Sequence, residues 1–115
     1  MLEGNPKVLN RRKYPRLAMT NACEISLKSK NKTYSGRLVN ISAGGFAFAC
    51  RAQEFAEAVG EVVQIAVHDF ELLNGKELTG IIIRSSDNNG SYIVGCRMPE
   101  DNVEIMNYVK KRIEK

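Results

Sequence analysis

"NACEISLK", residues 21–28, alternates without a miss: Cys23, Ile25 and Leu27 fall on one side, Glu24, Ser26 and Lys28 on the other. A period of two is the signature of a half-buried strand. The same rhythm resumes on both sides of short breaks. "KNK" interrupts it, and "TYSGRLVNIS" carries it from 33 to about Ser42. "AGG" then turns the chain into "FAFAC" (46–50), where Phe46, Phe48 and Cys50 share a face. "EVVQIAVHDF" (61–70), "ELTGIIIRS" (77–85) and "SYIVGCRM" (91–98) are three further strands, and "QEFAEAV" (53–59) reads as a short helix before Gly60. The connections carry Asn74-Gly75 and Asn89-Gly90, a strong hairpin signal because both residue types tolerate positive φ. The chain is therefore all-β: about six strands in antiparallel order, which remove their exposed edges by curling into a six-stranded barrel over about 17–99.

After Pro99 the period changes. Asp101 with Glu104 three residues later is a candidate capping box, and Val103, Met106, Val109 and Ile113 recur every three or four residues. This predicts a C-terminal helix over about 102–114, ending in the cationic turn Lys110 to Arg112. Its apolar stripe needs a surface, and the barrel flank or mouth offers one. Residues 11–115 form a single domain on this reading, preceded by a mobile segment, 1–10.

Composition narrows the function. No run approaches the roughly 18 apolar residues that span a bilayer, and residues 1–10 have no apolar core of a signal peptide. The three cysteines, Cys23, Cys50 and Cys96, are odd in number and widely spaced, as expected of buried, reduced thiols in a cytoplasmic protein. His68 stands beside Asp69, but no nucleophile or second base accompanies the pair by spacing. Without a metal constellation or a P-loop either, the chain reads as a binding protein and not an enzyme.

Charge is distributed unevenly. The formal net charge is +4, and residues 1–16 hold all of it: Lys7, Arg11, Arg12, Lys13 and Arg16 stand against Glu3, while the other 99 residues balance. Pro15 bars a regular helix through "RRKYPR" (11–16), so Arg12 and Arg16 sit on a stiffened, extended arm. Guanidinium groups so placed fork around phosphate or the O6/N7 edge of guanine; a solvated basic tail is the plainer alternative. Downstream, "NISAGG" (40–45) sets Asn40 and Ser42 two residues apart on one face, followed by Gly44 and Gly45, which permit unusual backbone angles and close approaches. Taken alone it reads equally as a turn closed by its own side chains.

Together, Arg12-x-x-x-Arg16 and Asn40-x-Ser42-x-x-Gly45 resemble the two-part signature of the PilZ domain family, a six-stranded antiparallel barrel with a C-terminal helix. Asn40 stands where many members carry aspartate, a variant the family also uses. The resemblance implies a cyclic di-GMP receptor without cofactor or metal. Arg12 and Arg16 would clamp phosphate and a guanine edge, Asn40 and Ser42 would bond the other guanine or its backbone, and Gly45 would leave room for the ring, with Gly44 beside it in the site. Arg11, just before the motif, would stack on a base and favour an intercalated ligand dimer. Ordering of the arginine arm would then alter the surface shown to a partner protein or domain. Two other readings compete: a ligand-free adaptor barrel, and a small barrel binding single-stranded nucleic acid. The second normally has aromatic platforms on its strands and a basic groove, whereas these strands are neutral and Phe46 and Phe48 alternate as core residues. Arg84 and Arg97, at strand ends, read as rim charges ahead of ligand contacts.

Overall fold

Every run of period two becomes a strand. The computed structural model describes residues 14–113, with β1 at Leu17–Ala18, β2 at Ala22–Leu27, β3 at Lys32–Ser42, β4 at Gly45–Cys50, β5 at Val62–Val67, β6 at Glu77–Asn88 and β7 at Ser91–Arg97. A helix, α1, follows at Val103–Ile113. The expected mobile segment 1–10, together with Arg11 and Arg12, lies outside the described residues. Neighbouring strands are antiparallel, in the order β3-β2-β5-β6-β7-β4, and β4 pairs back onto β3 to close a six-strand barrel. The two-residue β1 extends the β2 stave along β3, with Leu17 opposite Ile41 and Ala18 opposite Asn40.

Closure rests on the long strand β3. Its first half, Lys32–Arg37, pairs with β2, and its second half, Arg37–Ser42, pairs with β4. Between the halves the register to β4 slips at Val39. Such a bulge inserts one unpaired residue and reverses which side chains face inward. Leu38 and Ile41, three apart, are accordingly both wholly buried, and Asn40 and Ser42 are turned to the outer face. β6 repeats the device at Ile83: Ile82 faces the core, Arg84 the outside, and Ser85 turns inward to donate its hydroxyl to the Phe55 carbonyl at 2.7 Å.

The barrel is filled by Ile25, Leu27, Leu38, Phe48, Val63, Ile65 and Val94, each at most 1% exposed. The expected helix at 53–59 is a 3-10 turn, Gln53–Glu57, whose Phe55 plugs one end and packs edge-on against Phe48 and Tyr34 with ring centroids 5.4 and 5.3 Å apart. At the other end Phe70 meets Tyr108 of α1 at 5.0 Å. The two Asn-Gly pairs differ. Asn89 and Gly90 both have positive φ and form a two-residue hairpin between Asn88 and Ser91. Asn74 has φ −63° and ψ 122°, so only Gly75 is left-handed, as in a type II turn, and the β5–β6 connection is longer.

Two expectations for the helix need correction. The N-cap is Asn102, whose Oδ1 accepts the Ile105 N–H at 3.0 Å; Asp101 instead accepts the Tyr14 hydroxyl at 2.7 Å, and Glu104 reaches Lys76 at 3.2 Å. The buried stripe is centred on Ile105 and Val109, while Val103 and Ile113 point to solvent. Among the described residues no helix is long and apolar enough to cross a membrane.

All three cysteines are unpaired and buried. Burial pushes the Cys23 and Cys96 thiols up to about 12 from an ordinary 9.0. Unfolded thiols ionise from about pH 9 while the folded ones keep their protons, so stability holds below that pH and falls as pH rises toward 12. Urea midpoints measured across this window should decline, and decline less in a Cys23→Ala, Cys96→Ala variant. Phe55→Ala should lower the urea midpoint at neutral pH by an amount equivalent to about 3–5 kcal/mol, with an unchanged m-value.

Candidate functional site

The two re-phased strands and their neighbours build a platform on the outside of the barrel. Register aligns the outward residues of β3, β4, β7 and β6 in two rows: Asn40, Ala47, Gly95, Arg84, and beside it Ser42, Gly45, Arg97, Ile81. The middle of each row is small or flat, and the ends are polar or charged. Tyr14, Arg16, Pro99 and Asp101 wall the platform into a cleft of about 600 Å³. That volume falls within the usual range for a small-molecule site.

The spacing of the sequence motifs is explained by pairing. Leu17 lies opposite Ile41, so the preceding residue, Arg16, falls beside Ser42 although 26 positions separate them in the chain. Arg16, Asn40, Ser42, Gly44 and Gly45 all line the cleft. Arg11 and Arg12 lie outside the described residues. Asn40 is half-buried and lines the cleft, and its amide makes no hydrogen bond with other described residues. Ser42 is buried, and its hydroxyl is engaged within its own hairpin: it accepts the Gly44 N–H at 3.3 Å and donates to the Gly45 carbonyl at 3.4 Å. Both bonds are long, near the outer limit of useful geometry.

The glycines serve differently from one another. Neither Gly44 nor Gly45 has positive φ, so unusual backbone angles are not what the turn demands. A Cβ on Gly45 would collide with the Cys96 carbonyl oxygen, so this position must stay bare for β4 to pair with β7. A Cβ on Gly44 would sit in ordinary contact with the Tyr14 ring, 3.6 Å away. Tyr14 thus lies over the turn, and its hydroxyl continues to Asp101 at 2.7 Å. The same turn is tied to the residues that lead into α1: Met98 N–H donates to the Gly44 carbonyl at 2.9 Å, and Asn102 N–H to the Ala43 carbonyl at 2.8 Å.

Arg84 and Arg97 also line the cleft. Residues 17–115 are neutral in sum, yet the described part of the cleft lining carries three arginines against one carboxylate. The signal in the sequence was "GIIIRSS", where three consecutive isoleucines break the alternation and mark the bulge. Elsewhere, Phe46 and Phe48 are buried, at 3% and 0% exposure, so they offer no stacking surface for single-stranded nucleic acid. His68 faces Glu24 across 3.7 Å on another side of the barrel, and no cluster of potential metal ligands occurs among the described residues.

Comparison with known proteins places this geometry. The PilZ domain profile matches residues 10–113. A search of curated proteins by sequence finds no significant match. Among solved structures, the motility inhibitor MotI/DgrA of Bacillus subtilis aligns with a TM-score of 0.67 at 18% identity, over 92% of this chain and 53% of its own. The PilZ domain of Escherichia coli YcgR, solved with c-di-GMP, gives 0.65 at 20% identity, over 90% and 89%. The MrkH–c-di-GMP complex of K. pneumonia gives 0.60 at 12%, over 90% and 50%. The chain therefore spans about half the length of MotI/DgrA and of MrkH, and most of the excised YcgR domain. With the barrel, the helix and the family profile in agreement, this chain belongs to the PilZ domain family.

Proposed function

We propose that this domain is a receptor for cyclic di-GMP, which binds in the cleft over β3, β4, β7 and β6. The observation that carries the reading is the convergence of Arg16, Asn40 and Ser42, distant in sequence, on one cationic cleft. YcgR and MrkH, whose folds are similar, have been solved with this ligand. The chemistry suits it: two phosphates call for cations, and two guanines call for forked donors, amides and flat surfaces together. Arg16, with Arg12 and Arg11 from the arm, contributes the guanidinium groups. Asn40 supplies a donor and an acceptor to a guanine edge, and Ser42 shapes the turn that leaves Gly45 bare. Arg11 adds a stacking cation that favours two intercalated ligand molecules over one. Function here is recognition and signalling, without bond-making chemistry.

Binding reaches the rest of the domain through Tyr14. Its ring covers the Ala43-Gly44 turn, and its hydroxyl holds Asp101 next to the N-cap of α1. Ligand that orders the arm through Arg12 and Arg16 thereby loads the start of the helix, and the surface shown to a partner protein changes at α1.

Isothermal titration of the domain with cyclic di-GMP tests the receptor reading. Saturable binding is expected, with a stoichiometry of two ligands per domain if the intercalated dimer forms. One bidentate arginine–guanine contact is worth about 1–3 kcal/mol, so Arg16→Ala should weaken binding about tenfold to a hundredfold. No binding heat at high micromolar ligand would reject the receptor function. Hydrogen exchange tests the transmission route: ligand should slow exchange at the first turn of α1 in the wild type, and this protection should shrink in Tyr14→Phe while binding persists.

A further inference from the structure

We propose that the outer edge of β6 at residues 85–87 is a docking site for an extended peptide, which adds to the barrel as one further strand. The site lies outside both sequence motifs, and it stands or falls independently of the receptor function.

Register opens the edge. β5 pairs with β6 only from Glu77 to Ile81. Two last bonds follow, from the Gly60 N–H to the Ile82 carbonyl and from the Ile82 N–H to the Glu61 carbonyl. There a turn at 58–61, closed by the Glu61 N–H on the Ala58 carbonyl with Gly60 left-handed, takes the chain away from β6. β6 itself runs on to Asn88, paired with β7 alone among the described residues. Alternation decides which of its main-chain groups face outward. The two-residue hairpin commits Asn88 to Ser91, so Ser86 and Arg84 bond β7 as well, and Ser85 and Asp87 direct their N–H and C=O groups to the open side. No hydrogen bond from a described residue reaches these groups there. Unpaired strand groups of this kind are a template for another chain.

An independent observation marks the same place. Of the five large apolar side chains exposed among the described residues, three gather where β5 leaves β6: Val59, Val62 and Ile83. Val62 lies opposite Ile81, two positions before Ile83, and Val59 stands in the turn next to Gly60. Strand addition uses both features, main-chain bonds for affinity and alternate side chains for specificity.

The same features choose the occupant. A second copy pairing antiparallel through this edge would set each Ile83 corner against the polar hairpin of the other, Asp87, Asn88 and Asn89, and leave it uncovered. The partner that fits is a peptide alternating β-branched apolar residues with cations. Its apolar side chains cover Ile83 and Val59. A cation falls opposite Asp87, which shares the face of Ser85, two residues before it.

The experiment uses a synthetic peptide of about seven residues, valine alternating with lysine, a length typical of strands. It is added to the labelled domain and the amide signals are followed by NMR. Saturable shifts are expected at Ser85 and Asp87, with smaller ones at Ser86, whose N–H is held by β7. Methylating the peptide nitrogens along one edge should abolish them. Asp87→Pro removes an outward N–H that the fold does not use, so the thermal midpoint should hold while binding weakens about five- to a hundredfold. Asp87→Asn keeps that N–H and loses the charge, and should stay within about threefold of the wild type. If the proline variant does not fold, the methylated peptide on the wild type decides the matter. Absence of shifts at millimolar peptide overturns the proposal. Binding that survives both peptide methylation and Asp87→Pro overturns strand addition in favour of side-chain docking. Shifts at Ser85 and Asp87 that grow with protein concentration in the absence of peptide overturn it in favour of a second copy.

Discussion

The backbone of β3 must satisfy its hydrogen bonds against two different strands on opposite sides, and the domain is organised around that demand. An eleven-residue strand whose halves pair with β2 and β4 closes the sheet without leaving a long open edge. Closure by one shared strand concentrates curvature at the handover, and the bulge at Val39 absorbs it. The cost is a single unpaired residue. The consequence is that Asn40 and Ser42, which would otherwise share the inward face of Leu38, line the outer cleft. The geometry that seals the core and the geometry that creates the site are thus one feature.

The cleft is a surface assembled from backbone spacing more than from large side chains. Gly45, Ala47 and Gly95 keep its floor low: Gly45 is fixed by the Cys96 carbonyl that a Cβ would strike, and Gly95 lies under the Arg84 side chain. Charged groups stand at its edges. A low floor with cationic edges has the shape and charge to take a flat anion.

The link to α1 follows from the same economy of parts. The Ala43-Gly44 turn accepts hydrogen bonds from Met98 and Asn102 and is covered by Tyr14, so Tyr14, the turn and the helix start meet at one point. A helix that lies against β1 and β3 with only Ile105 and Val109 wholly buried has a modest hold on the barrel.

Strand identity and order were legible because they depend on local alternation and turn chemistry, both written in residue types: Cys23, Ile25 and Leu27 on one face, Asn89-Gly90 at a tight hairpin. The two motifs were legible for the same reason, since their residues carry their chemistry wherever the chain places them. The position of the helix cap was not, because Asp101 and Asn102 are equally good caps and the choice fell to Tyr14, which engages Asp101 from 87 residues away. The side on which Arg84 falls was not legible, because a bulge is set by the register of the partner strand, and one inserted residue decides whether a side chain faces solvent, core or cleft. Residue types determined the strands and the motifs; hydrogen-bond register between strands distant in sequence decided which side chains face one another across the cleft.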